Sequence, residues 1–190
     1  MVKIKRLFVA LCLLWLMVAT ASAANLTASQ LTVLKADILA DPVLSAYPQT
    51  ADGLQAIAAA YNVNAAPAFW VWRTRITEEE IVGEASPDGT LWSWPAYISR
   101  SAGEQNCWSR MFAKTEGINA SRPNVRQGLA DIFSGPSGVA QRTHLLAIGR
   151  RLSTRAEKLF ATGTGSTASP GTMTFEGTIT VSDVIAAFNA

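Results

Sequence analysis

Three times in the first half of this chain, a short polar residue is followed three positions later by Gln or Glu at the head of an apolar run. Thr27 with Gln30, Asp52 with Gln55 and Thr77 with Glu80 have the spacing of a capping box, in which two orphan amides at a helix start are satisfied reciprocally. Leu26 with Leu31 and Ile76 with Ile81 add apolar pairs across the cap, which fix the angle at which the chain enters the helix. Leu31, Leu34 and Ile38, then Leu54, Ile57, Ala58 and Tyr61, recur at helical spacing and give each helix a face to bury. Asp41 with Pro42, and later Gly83, end the runs. A chain punctuated in this way is constrained to a mainly α fold.

The same reading continues downstream. Cys107, Trp108, Met111 and Phe112 form an apolar stripe, and Pro123 suits a first helical turn ahead of Val125, Leu129, Ile132 and Phe133. After a break at Gly135 to Gly138, residues 139–160 read as the longest helix, with Leu145, Leu146, Ile148, Leu152, Ala156, Leu159 and Phe160 inward. Arg142, Arg150, Arg151, Arg155 and Lys158 then decorate its outer surface. Residues 84–96 contain Pro87, Asp88, Gly89 and Pro95 and read as an ordered loop, and residues 161–172 as a Gly, Ser and Thr loop. Thr172 to Phe175 and Thr178 to Val181, joined at Glu176 and Gly177, read as a small hairpin, with Ser182 and Asp183 capping a last helix from Val184. The expected architecture is a single helical domain, residues 25–190, of about six helices with a small C-terminal β-hairpin.

Residues 1–24 read as a signal-peptide-like leader. Lys3, Lys5 and Arg6 precede an apolar run from Leu7 to Val18, and Ala21, Ser22 and Ala23 supply small side chains for cleavage before Ala24 or Asn25. At 12 residues the run is short of the ~20 that span a bilayer, so the expectation is no stable membrane anchor after cleavage. The alternative is a true start near Asn25, with the preceding residues as upstream reading frame. With 16 basic and 14 acidic residues, three of the basic ones in the leader, the remainder is nearly neutral and makes no electrostatic bid for nucleic acid. Of two cysteines Cys12 lies in the leader, so Cys107 stands alone and reads as a small buried hydrophobe.

Catalytic and ligand signatures are sparse. His144 is the only histidine, which rules out an all-imidazole metal site, and the acidic residues show no ligand spacing; neither metal nor cofactor is expected. His144 reads as a helix-face residue making one hydrogen bond. Thr162 to Ser166 resembles a phosphate cradle but follows a helix and lacks a lysine; Gly135 to Gly138 lacks the context of a nucleophile elbow; and Glu78, Glu79 and Glu80 complement a helix dipole. No enzyme is expected. The residues left for contact are aromatic and glycine: Trp70 and Trp72, Trp92 and Trp94, and the loop around Gly163 and Gly165 are the candidate partner-binding positions. Core packing of the same tryptophans is the competing reading.

Thr154, Arg155, Ala156, Glu157, Lys158, Leu159 and Phe160, continuing through Gly163, Gly165 and Ser166 to Phe175, Glu176 and Gly177, resemble the C-terminal signature of a protein family of tailed phages and prophages. The resemblance extends to residues 26–30, 36–42, 57–62 and 123–126 and to Trp72, and leaves out residues 84–102. It implies a phage structural or virion-assembly protein whose partners are other phage structural proteins or further copies of itself, in the virion or the infected cell. It carries no catalytic residues with it. If the leader is used, the alternative is an exported periplasmic binding or adaptor protein; a cell-wall hydrolase is the remaining class.

Overall fold

The computed structural model describes residues 26–113 and 116–190, so the leader lies outside the described residues. Among these residues the protein is mainly α, with nine α-helices, one short 3-10 turn and two small two-stranded antiparallel sheets. They group into two units: residues up to Ala58 together with Thr180–Ala190, and Ala59–Ile179.

In the first unit, helix α1 (Ala28–Ala40) starts at the expected box, in which the Thr27 hydroxyl accepts from the Gln30 amide and the Gln30 side chain accepts from the Thr27 amide. Such a cap contributes ~1 kcal/mol. Asp41 ends the helix, and its carboxylate accepts from the Val43 and Leu44 amides at 2.8 and 3.1 Å. Leu34 and Ile38 are fully buried, and α1 packs along the C-terminal helix α9 (Val181–Asn189). Lys35 ties the pair by donating to the Phe188 and Ala190 carbonyls at the negative end of α9. Asp52 and Gln55 do not form the expected capping box: helix α2 (Ala51–Tyr61) starts two residues earlier, the Thr50 hydroxyl accepts from the Gly53 amide, and Asp52 sits in the first turn.

The second unit is built on strand β1 (Trp70–Trp72). It pairs antiparallel with β2 (Arg150–Leu152), Trp70 opposite Leu152 and Trp72 opposite Arg150. On its other edge the Trp70 and Trp72 amides donate to the Gly165 and Gly171 carbonyls at 2.7 and 3.0 Å, and the Gly171 amide donates to the Trp70 carbonyl. Helices α3 (Glu78–Gly83), α4 (Trp94–Ile98), α5 (Ala102–Met111), α6 (Pro123–Ile132) and α7 (Val139–Ile148) follow in sequence. Their core joins Ile76 and Ile81, the pair across the Thr77 cap, to Trp108, Leu129, Phe133, Leu145 and Ile148.

Residues 139–160 are not one helix. Helix α7 stops at Ile148 with Gly149 as its cap, where a Cβ would lie 2.9 Å from the Leu145 carbonyl, and the chain turns into β2. Helix α8 (Arg155–Leu159) then begins at a further capping box, Thr154 with Glu157. As a result Leu146 and Leu152 are 46% and 38% exposed instead of inward. Arg150 and Arg151 are not outer decoration either: Arg150 pairs with Asp88, and Arg151 pairs with Glu157 at 2.7 Å and Glu176 at 3.0 Å.

The C-terminal hairpin also takes a different form. Strand β4 (Thr172–Met173) pairs with β3 (Ala161–Thr162), so the presumed loop is itself the hairpin, and Thr178 to Val181 form no strand. The partners that residues 175–180 would need are taken: Phe175 packs edge-on against Phe160, the Asn62 amide group bonds both the N–H and the carbonyl of Ile179 at 2.8 Å, and Thr180 with Asp183 caps α9. Helix α9 therefore starts before the expected Ser182.

Two predictions follow from this packing. Gly165 has φ of +65° and a Cβ there would lie 2.1 Å from the Phe69 ring, so Gly165→Ala should cost about 3 kcal/mol in urea unfolding, combining backbone strain with overpacking. Gly83→Ala, with open space around it, should change stability by under about 1 kcal/mol; equal effects at both positions would contradict the packing. Burial opposes ionisation of Glu157, but Arg151 and the Thr154 cap outweigh it and hold the carboxyl below its ordinary range. Its contribution is thus complete above about pH 4.5 and is lost as the pH falls through the lowered folded value. Glu157→Gln should lower stability at neutral pH and reduce the drop measured between about pH 5 and pH 3; an unchanged acid slope would remove that assignment.

Candidate functional site

The four candidate tryptophans fall into two different surroundings. On β1 the alternation is as expected: Val71 is fully buried, and Trp70 and Trp72 stand half-buried on the other face. Each carries a guanidinium over its ring, Arg150 at 5.4 Å from Trp70 and Arg126 at 4.4 Å from Trp72. These rings serve as platforms for the protein's own arginines.

Trp92 and Trp94 belong to an aromatic cluster. Trp92 is its hub, with ring centroids 4.8 Å from Trp108, 5.7 Å from Tyr97, 5.8 Å from Phe133 and 5.9 Å from Trp94. Trp108 is buried with its indole N–H donating to the Glu78 carboxylate at 2.7 Å, a specific task for an acid that the sequence assigns only to the helix dipole. Ser93 caps α4, and its amide donates to the buried Gln141 side chain. This framework holds Trp94 outward. It is 53% exposed, with Leu91 and Ile98, each 69% exposed, on the same short segment. Sequence alone does not separate Trp92 from Trp94, because alternation treats both alike; the capping serine between them is the signal that turns one inward and the next onto the first turn of a helix.

Gly163 and Gly165 hold the hairpin loop against β1. Both have positive φ; Gly165 is buried under Phe69, and Gly163 is exposed. The loop is organised by the chain itself: beyond the Trp70 to Gly165 bond, Arg150 donates to the Thr167 carbonyl at 2.7 Å, and the Ser169 amide donates to the Ser166 hydroxyl.

His144 is fully buried and doubly held. Nε2 donates to the Ile81 carbonyl at 2.8 Å, while Nδ1 lies 3.1 Å from the Thr90 carbonyl and 3.2 Å from the Thr90 hydroxyl, which is itself 2.6 Å from the Ser86 hydroxyl. An imidazole beside two hydroxyls resembles part of a catalytic relay, but the acceptor on Nε2 is a backbone carbonyl and Ser86 is buried too. The group staples α7 to α3 through Ile81 and to the segment after α3 through Thr90. Cys107, expected to be buried, is exposed on α5, because the buried position of that turn goes to Trp108. Among the described residues, no three His, Cys, Asp or Glu side chains come together as a metal-holding group, and no helix is long and apolar enough to cross a membrane.

Arg126 on α6, to which the sequence assigns no role, and Arg142 on α7, expected on the outer surface of its helix, line a cavity of about 250 Å³ walled by Ile76, Ile81, Leu129 and Leu145. The available signal is positional: each arginine adjoins an apolar helical face, with Ala130 or Leu146 four residues on, but only tertiary packing shows that the faces enclose a space.

Comparison with known proteins gives no match to a family model, to a curated protein or to a solved structure.

His144→Ala would leave the Ile81 carbonyl without its donor and open space in the core, and should cost on the order of 3 kcal/mol in chemical unfolding. A change under about 0.5 kcal/mol would show that the imidazole is not a structural staple.

Proposed function

We propose that this protein is a non-enzymatic component of a tailed phage or prophage that works by docking to other phage structural proteins or to copies of itself, with Trp94 at the centre of its contact surface. The observation that carries this reading is the display of Leu91, Trp94 and Ile98 on a framework built to hold them outward. Aromatic side chains with pre-ordered surroundings supply most of the energy at protein interfaces, because little freedom is lost when they are covered. The phage assignment rests on the signature from Thr154 to Gly177, and the non-enzymatic one on the use of His144, Glu78, Glu80 and Glu157 as structural partners. The expected place of action is the virion or the infected cell.

A second reading, an exported binding or adaptor protein of the periplasm, is favoured by the leader motif of residues 1–24. N-terminal sequencing separates the two: a periplasmic product beginning at Ala24 or Asn25 supports export.

Mass spectrometry of purified virions should detect the chain, and repeated absence at good coverage would remove the virion assignment. Trp94→Ala should leave the protein folded, at a cost of about 1 to 2 kcal/mol for its ring contacts with Trp92 and Tyr97, and reduce incorporation or self-association at least tenfold. Full incorporation of the variant would move the contact surface elsewhere.

A further inference from the structure

We propose that the cavity beside Trp72 is a binding site for a small anionic amphiphile, a molecule with an apolar body of about eight carbon atoms and one carboxylate, held by Arg126 and Arg142. The cavity measures about 250 Å³, against the ~150 Å³ that admits a benzene ring. Protein interiors rarely leave spaces of this size among aliphatic side chains. Leu146, one of the lining residues, is 46% exposed, so the lining reaches the solvent-accessible surface.

The two arginines decide the ligand's charge. Three other arginines of the same unit, Arg73, Arg150 and Arg151, each have a carboxylate partner in Glu80, Asp88 and Glu157. Arg126 and Arg142 have no ion pair among the described residues. Instead each is fixed through one nitrogen. Arg126 Nη1 donates to the Ala120 carbonyl at 2.6 Å while its plane lies over Trp72, and Arg142 Nη1 donates to the Phe133 carbonyl and to the Gly135 carbonyl at 3.0 Å. A guanidinium carries five N–H donors, so both forks keep donors for an acceptor at the cavity wall. Burial pulls Arg126 below the ordinary guanidinium range, and no carboxylate offsets that cost.

A carboxylate matches a guanidinium fork in shape as well as charge, and desolvated walls strengthen the pairing. An aliphatic lining disfavours sugars and nucleotides, whose hydroxyls would lose their partners in water. Two unpaired cations disfavour a wholly neutral occupant. The site stands apart from the docking reading, because Trp94 does not line it, and either can fail without the other.

Calorimetric titration of the purified full chain with octanoate tests the proposal. Saturable binding at one site is expected, with octan-1-ol about tenfold weaker or more, since the alcohol offers the same body without the charge. Arg126→Gln and Arg142→Gln should each weaken octanoate about tenfold and leave octan-1-ol nearly unchanged. Circular dichroism checks that each variant folds. If Arg126→Gln does not, Arg142→Gln and the cavity-filling Ala130→Phe carry the test, and Ala130→Phe should abolish binding of both ligands. No binding at about 10 mM octanoate, equal affinity for acid and alcohol, or unchanged affinity in a folded arginine variant would overturn the site. Vesicles of anionic phospholipid distinguish the source of the acyl group: competition with octanoate would identify a lipid chain as the occupant, whereas vesicle binding without competition, or no vesicle binding, would leave the free acid as the occupant of the cavity.

Discussion

Strand β1 is only three residues long, yet it is hydrogen-bonded along both edges, and the arrangement of the second unit depends on that. One edge carries β2, with the Ser153 amide donating to the Phe69 carbonyl and the Arg73 amide to the Gly149 carbonyl. The other carries the glycine loop through Gly165 and Gly171. To meet the first edge the chain must leave helix α7 at Gly149; to meet the second, the backbone must approach closer than any side chain allows, which is why glycines stand against the Phe69 ring. The ladder places Val71 in the core and turns Trp70 and Trp72 toward Arg150 and Arg126.

Charge is used in the same economical way. Arg151 meets Glu157 and Glu176, so one guanidinium ties β2, the cap of α8 and the segment that follows β4. Arg73 reaches Glu80, whose carboxylate also closes the Thr77 capping box, and thereby links the end of β1 to the start of α3. A near-neutral chain with this pattern spends most of its acids on internal fastening, leaving apolar and aromatic groups as the distinctive features of its surface. The exposed aromatic patch around Trp94 and the apolar cavity with Arg126 and Arg142 in its wall are two outcomes of one distribution.

The local half of this architecture is legible in the sequence. The Thr27 and Thr77 boxes, Pro123 at a first turn and the buried faces of α1 and α6 depend on residues within a few positions of one another, and all five stand as read, except that Leu31 and Val125 at the edges of the two faces are half-buried. The boxes at Ser101, Thr154 and Thr180 carry the same signal and pass unread, the second because an unbroken apolar periodicity from Val139 to Phe160 masks the interruption at Gly149. Pairing of residues 70–72 with 150–152 is not legible, since three-residue strands have too little alternation to identify a distant partner. The same holds at the sites. The aromatic pattern locates all four tryptophans, but which of them faces solvent depends on Trp108 and Phe133, and the cavity depends on two arginines whose neighbours come from several elements.

Native-state hydrogen exchange at single-amide resolution measures the central role of β1 directly. The amides of Trp70, Trp72, Arg73 and Ser153 should exchange only through the opening that also exposes the core helices α6 and α7, placing them in the slowest class of the second unit. Exchange of these four at the rate of the exposed 87–89 turn, with α6 and α7 still protected, would show that the unit holds together without the strand.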